Sequence, residues 1–101
     1  MNKSKMLTML GFAAKAGKIV SGEMGVRASV QKNKAKLLLV ATDAADSTIK
    51  EFSLLAENNA VPCISGLSMQ EMGMAIGKSN RSILVVLDEG FASQIRINMD
   101  H

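Results

Sequence analysis

The segment GMAIGKS at positions 73–79 contains the residue types that bind nucleotide phosphates in many hydrolases. That phosphate loop needs four residues between its two glycines, whereas three residues separate Gly73 from Gly77. The segment also closes a predicted helix, while a phosphate loop follows a strand and opens a helix. Gly77 is better explained as a helix C-cap, so nucleotide hydrolysis is not predicted.

Acid–base and metal chemistry also lack a suitable set of residues. The single histidine, His101, is the last residue, and the end of a chain rarely holds a proton carrier in place. Asp43 and Asp88 each follow a predicted strand, but turn formation and helix capping explain them better than catalysis does. Cys63 is the single cysteine, so no internal disulfide and no Cys/His metal site can form. We predict an intracellular, cytoplasmic protein that is not an enzyme and has no catalytic residue, cofactor or metal.

The segment KIVSGEMGVRAS at positions 18–29 is the remaining candidate site. A helix that starts after Gly22 presents unpaired N–H groups and its positive dipole end, which suit a phosphate. Gly22 and Gly25 would also let another backbone approach closely. The helix face outside the predicted core and its two flanks carry Met24, Ala28, Arg27 and Lys32. The alternative, that Gly22 simply makes a tight turn, stays open at this point.

The distribution of charge favours an anionic partner for the first third of the chain. Residues 1–36 carry a net charge of +7, whereas residues 37–101 carry −4. A solvated face with scattered lysines would give the same count. The chain has no Trp or Tyr, and its three phenylalanines are predicted to lie at core positions of helices, so base stacking is not predicted. A nucleic acid would be held by phosphate contacts, backbone amides and base edges.

The elements that position these residues alternate between helix and strand. A capping box of Ser68 and Glu71 opens one helix, Asp46 or Ser47 is expected to cap another, and Pro62 suggests an edge strand. This alternation predicts an α/β fold with helices on both faces of a sheet, in a single domain covering residues 1–101. The predicted helices cover about 3–16, 22–32, 46–59, 68–76 and 89–98, and the strands 19–20, 36–41, 61–64 and 83–87.

Several short stretches together resemble one known family. They are SGE at 21–23, KAKLLLVATDA at 34–44, VPC at 61–63, EMGMAIGK at 71–78 and LDEGFA at 87–92. The sequence resembles the kink-turn RNA-binding ribosomal protein superfamily of the L-seven-A-e type, in particular its small bacterial stand-alone members. The resemblance covers about Leu7 to Ala92. It implies a three-layer α/β/α sandwich around a mixed four-stranded sheet.

The resemblance also implies where RNA would bind. In this family the recognition helix begins after a glycine that matches Gly22, an Asn-Glu pair reads guanine edges, and a Lys one turn later completes the contact. A second loop, matching residues 64–68, covers a flipped-out base with apolar groups. The implied RNA-binding residues are Gly22, Glu23, Met24, Gly25, Arg27, Ala28, Lys32, Ile49, Gly66 and Leu67.

This sequence departs from the family pattern where bases are read. Met24 and Gly25 stand at the Asn-Glu positions, and Ala28 stands at the Lys position. The basic residue one turn further on, Lys32, and the apolar contact position on the third helix, Ile49, are kept. We therefore expect RNA binding that depends more on phosphates and shape, with weakened base readout.

Two function classes remain open from the sequence. The first is a non-catalytic module that binds kinked or structured RNA, with ribosomal RNA as one candidate and a protein partner in a ribonucleoprotein as another. The second is a protein-interaction scaffold that has lost specific RNA recognition. The basic first third favours RNA, whereas Met24 and Leu67, both expected to be exposed, favour the scaffold. In the second loop Gly66 and Leu67 stand where a fuller apolar patch is usual in the family. No membrane partner is predicted.

Overall fold

A computed structural model describes residues 1–100 as a mixed four-stranded sheet between two layers of helices. Helices α2 and α3 pack on one face, and α1, α4 and α5 pack on the other. The predicted three-layer α/β/α sandwich is therefore confirmed. The elements in chain order are α1 Lys3–Lys15, β1 Ile19–Ser21, α2 Glu23–Gln31, β2 Leu37–Val40, α3 Asp46–Asn58, β3 Cys63–Ser65, α4 Met69–Ala75, β4 Ile83–Val86 and α5 Glu89–Asp100.

The strand order β1-β4-β2-β3 puts the two most hydrophobic strands in the centre. Every residue of β2 and β4 is buried, because helices cover both faces of these strands. Strand β4 runs antiparallel to β1 and β2, whereas β2 and β3 are parallel. Pro62 directly precedes β3, which is an edge strand. This position suits proline, because it has no N–H group to donate to a neighbouring strand.

The register defines two ends of the sheet. At one end Ser21 pairs with Leu84, and Val40 pairs with both Ile83 and Ser65. We call this the carboxyl end, because β1, β2 and β3 all finish there. At the other end, the amino end, those three strands begin and β4 finishes. Helix α2 starts at the carboxyl end and runs to the amino end.

Two of the local predictions fail for identifiable reasons. Neither Asp46 nor Ser47 caps α3, because the N-cap is Ala45 and Asp46 is already helical. Phe12 lies on α1 but is 50% exposed, so the prediction that it is a core residue is wrong. The capping box of Ser68 and Glu71 is confirmed. Among residues 1–100, no helix has both the length and the apolar character that crossing a membrane requires.

Candidate nucleic-acid interface

The start of α2 is open at the carboxyl end of the sheet. Gly22 is its N-cap and has a φ of +91°, which residues with a side chain rarely adopt. Because glycine has no side chain, it offers no acceptor to the N–H groups of the first helical turn. The Gly22 amide donates to the Ile83 carbonyl at 3.4 Å, which ties the helix start to β4. Glu23 and Met24 are exposed beside it, Met24 to 87%. The predicted open helix start is therefore present, with a carboxylate and a thioether at its tip.

Three loops meet at this same end and are tied to one another through the backbone. The Thr42 amide donates to the Leu67 carbonyl at 2.9 Å, and the Ala41 amide donates to the Ser82 carbonyl at 2.8 Å. Asp43 accepts from the Met69 amide at 2.8 Å. These hydrogen bonds place the segments after β2, after β3 and before β4 in one surface with the α2 start. Asp43 thus caps the start of α4, and Asp88 caps the start of α5 by accepting from the Phe91 amide. Both residues cap helices, as predicted.

Arg81 is the cation at this end that the sequence reasoning did not single out. Its Nε donates to Ser21 Oγ at 3.1 Å, one residue before Gly22. Its Nη1 donates to Ser79 Oγ at 2.8 Å and to the carbonyls of Ser79 and Asn80 at 3.2 and 3.1 Å. The guanidinium is thus held beside the α2 start. No local motif marked it, because Ser21 and Arg81 are 60 positions apart.

Arg27 lies on a flank of α2, as the sequence suggested, whereas Lys32 lies at the far end of the helix. Arg27 forms an ion pair with Glu51 and lies 5.2 Å from the centroid of the Phe52 ring, so its charge is already partly neutralised. Lys32 is the C-cap of α2, about 15 Å along the helix from Gly22 at 1.5 Å per residue. Lys32 therefore lies at the amino end of the sheet. The structure does not bring it together with the helix start.

The second loop also differs from its predicted character. Leu67 is 1% exposed, so the expectation of an exposed apolar residue there is wrong. Its side chain belongs to the core, because the Thr42 bond to its carbonyl draws the loop inward. Gly66 lies under Met1 and Met99, which a Cβ at this position would approach to 2.7 and 3.2 Å. Ile49 is half-buried against the core and keeps part of its surface accessible.

Of the three positions where this chain departs from the Asn, Glu and Lys of the family pattern, Gly25 and Ala28 lie closest to the fold. A Cβ at Gly25 would lie 2.6 Å from Cγ1 of Val20, so any larger residue there requires Val20 to move. Ala28 is half-buried one turn further along the same helix and already carries a Cβ. Because Gly25 has no side chain, Val20 of β1 can pack closely against α2 at this position.

The residues 1–100 contain no group of three or more His, Cys, Asp or Glu side chains that could hold a metal ion. The carboxylate with a lowered pKa in this part of the chain is Glu71. The Ser68 amide bond and the ammonium of Lys3, at 3.1 Å, hold the pKa of this carboxyl below its ordinary value. Both interactions secure the start of α4, so this shift has a structural explanation.

Fold and surface together define an α/β/α sandwich with an open helix start, three backbone loops and one fixed guanidinium at one end of a mixed sheet. Residues 4–96 match the family described as Ribosomal protein L7Ae/L30e/S12e/Gadd45, and the chain belongs to this family. The resemblance stated from the sequence is therefore confirmed.

Relatives and solved structures agree with this assignment. Proteins described as RNA-binding protein YlxQ from Enterococcus faecium and Bacillus subtilis (strain 168) are each 34% identical over 95 residues, which is 94% of this chain and 91% and 95% of those proteins. A protein of unknown function from Bacillus halodurans C has a TM-score of 0.92 at 31% identity, with 96% of this chain and 98% of that chain covered. A Giardia lamblia 15.5kD RNA binding protein shares the fold, with a TM-score of 0.79 at 20% identity over 96% and 83% of the two chains. The prediction that this chain is not an enzyme is confirmed by its family and by the description of these relatives.

Proposed function

We propose that this chain is a non-catalytic RNA-binding protein of the ribosomal-protein type that binds kinked or structured RNA at the carboxyl end of its sheet. Family membership and the description of its relatives as RNA-binding proteins support the proposal. In this proposal residues 1–101 act as a single domain in the cytoplasm. Ribosomal RNA is the candidate ligand, and a ribonucleoprotein is the candidate setting.

The observation that carries the proposal is the position of Arg81 beside the open start of α2. The N-cap of α2 has no side chain, and the guanidinium is fixed 3.1 Å from Ser21 Oγ. Backbone N–H groups at a helix start match phosphate oxygens. Arg81 keeps Nη2 for a phosphate oxygen, because its Nε and Nη1 already donate to protein groups. The exposed carboxylate of Glu23 disfavours a phosphate directly at the tip, but it can accept hydrogen bonds from guanine N–H groups.

We further propose that base readout is weakened relative to the family pattern. Met24, Gly25 and Ala28 offer no polar side-chain atom at the positions where Asn, Glu and Lys read the RNA. A bidentate base contact contributes about 1–3 kcal/mol of discrimination in protein–DNA complexes. Losing two such contacts would remove roughly 2–6 kcal/mol of selectivity by the same measure. Contacts to phosphates and to RNA shape would then dominate, and these depend strongly on salt.

A gel-shift titration with two RNAs tests both parts of the proposal. One RNA contains a kink lined by sheared G·A pairs, and its control is fully Watson–Crick paired with the same length and composition. We expect measurable binding to the kinked RNA with a modest preference over the control and a steep loss of affinity with rising salt. Failure to prefer the kinked RNA at any salt concentration would refute kinked-RNA recognition. Tight and strongly selective binding would refute the weakened readout.

A protein-interaction scaffold is the second candidate, and the exposure of Met24 favours it. An 87% exposed methionine at the tip of α2 suits an apolar contact with a protein partner. The burial of Leu67 removes the other residue that supported this class. The two functions differ in their response to salt, because phosphate-driven binding weakens steeply with ionic strength and an apolar contact does not.

A further inference from the structure

Four lysines of the basic first third lie at the amino end of the sheet, away from Gly22. We call Lys18, Lys32, Lys34 and Lys36 the basic end. The Lys36 amide donates to the Val86 carbonyl at 2.8 Å, and the Lys18 carbonyl accepts from the Leu87 amide at 2.8 Å. Both lysines are thereby anchored where β4 finishes.

The turn after α2 fixes the outward direction of the other lysines. Asn33 has a left-handed φ of +59°, and the amides of Lys34 and Ala35 both donate to the Ser29 carbonyl, at 2.9 and 3.3 Å. Ala35 is buried, so its neighbours Lys34 and Lys36 face solvent. All four lysines of the basic end are exposed. A short, well-ordered turn therefore presents a row of ammonium groups.

Within residues 1–100, no ion pair neutralises these charges. Across residues 1–100 the ion pairs are Lys3 with Glu71 and Arg27 with Glu51, and neither involves the basic end. The acids at this end of the fold are Glu57, Asp88 and Glu89. Asp88 is engaged in accepting from the Phe91 amide at 3.0 Å, and Glu89 accepts from Ser93 Oγ at 3.3 Å. Stabilisation of the α2 dipole explains Lys32 alone, because the effect is confined to the last helical turn.

A recess of about 260 Å³ opens next to the lysines. Its wall contains Lys36 and Arg96, the carboxamides of Asn33 and Asn59, and one acid, Glu89. Two cations and two carboxamide donors are groups that hold phosphate and ribose oxygens. The wall also contains Val61 and Pro62 but no aromatic side chain, so it offers no platform for stacking a base.

We propose that the basic end is a second RNA-binding surface, which holds the phosphate backbone of an RNA helix without reading its sequence. This inference goes beyond the proposed function and does not depend on it, because the two surfaces share no residue. The protein measures 29 × 26 × 25 Å, and α2 runs from one surface to the other. It would therefore join two RNA segments on opposite sides of one small fold.

The test uses a fully paired, unkinked RNA duplex as the probe and the double variant Lys34→Glu/Lys36→Glu. Affinity is measured by fluorescence anisotropy across a salt series, and folding is checked by circular dichroism. We expect the double variant to weaken duplex binding at low salt by roughly tenfold or more. Since each lost phosphate contact lowers the slope of log K against log salt by about 0.9, the slope should fall by almost 2. The variant Lys34→Arg/Lys36→Arg keeps both charges and should bind like the original protein.

The matched control is Lys5→Glu/Lys15→Glu, which changes the net charge equally at two exposed positions of α1 that belong to neither surface. Equal weakening by the two double variants would overturn the proposal, because net charge alone would then explain binding. No binding of the duplex by the original protein at low salt would also overturn it. Equal weakening leaves the proposed function untouched, because that function rests on preference for kinked RNA and on Arg81. Absence of duplex binding would leave kinked-RNA recognition standing but would also count against the weakened base readout.

Discussion

Arg81 and Ser21 are joined by a 3.1 Å hydrogen bond from Nε to Oγ, which fixes a guanidinium next to the start of α2. The partners of Nη1, Ser79 and Asn80, restrict the same group from the other side. The loop that carries them packs closely on α4, because Gly73 has no side chain and a Cβ there would lie 2.1 Å from the Ser79 carbonyl oxygen. A cation fixed in this way loses little conformational entropy when it binds a phosphate.

We expect Arg81→Ala to weaken binding of kinked RNA by about tenfold and to lower the salt slope by about 0.7–0.9, since one phosphate contact is lost. Arg81→Lys should recover the salt slope but not the full affinity, because an ammonium cannot form the set of hydrogen bonds from Nε and Nη1 that fixes the guanidinium. Gel-shift titrations in a salt series measure both quantities. Lys5→Ala is the control for lost charge, and an equal loss of affinity in that variant would contradict a specific role for Arg81.

Glu51→Gln should strengthen RNA binding and steepen its salt dependence. The substitution removes a negative charge and releases Arg27 from its ion pair, so the guanidinium can reach a phosphate. Both side chains of the pair are largely exposed, at 40% and 46%, so the free energy of unfolding should change by no more than about 1 kcal/mol. Unchanged affinity would mean that the flank of α2 carrying Arg27 lies outside the RNA contact. Asp100→Asn, at the exposed end of α5 on the other face of the sheet, is the matched control.

The double variant Met24→Asn/Ala28→Lys should increase the preference for kinked RNA over the paired control, because it supplies polar atoms at two base-reading positions. Adding Gly25→Glu alone should destabilise the fold, since the new Cβ lies 2.6 Å from Cγ1 of Val20. Overpacking of this kind costs about 1–3 kcal/mol.

Combining Gly25→Glu with Val20→Ala should recover part of that stability and permit the full Asn-Glu-Lys set. Thermal unfolding and paired gel-shift titrations measure the two effects separately. If the stable multiple variant showed no gain in preference, the start of α2 would not be the surface that reads the RNA.

The stability of the protein should fall on acidification partly through Glu71. Hydrogen bonding from the Ser68 amide and the charge of Lys3 lower the pKa of this carboxyl in the folded state. Its stabilising contribution is therefore complete above the ordinary pKa and is lost as the pH falls through the lowered folded value. Glu71→Gln keeps an acceptor for the Ser68 amide, so its melting temperature should decline less between about pH 5 and pH 3. Parallel declines in the two proteins would exclude this role.

The candidate site was predictable in part. The two residues that the structure keeps from the α2 start, Arg27 and Lys32, share one explanation. Gly22 was found because a glycine between a short strand and a helix is a local signal, and the structure gives it a positive φ at the N-cap. Arg27 and Lys32 were assigned to the α2 start by proximity in sequence. The ion pair with Glu51 crosses to another helix, and the length of α2 separates Lys32 from Gly22. Neither fact is visible in a local pattern.

By itself the sequence determined the order of elements, the α4 capping box and, through the resemblance of several short motifs, membership of the family. The elements and the cap follow from hydrophobic periodicity and from capping residues three positions apart, which act within one element. Only the tertiary structure decided that Leu67 is buried, that Phe12 is exposed and that the positive charge divides between two ends of the sheet. Those outcomes depend on strand order and on hydrogen bonds such as that from Arg81 to Ser21, which join residues far apart in the chain.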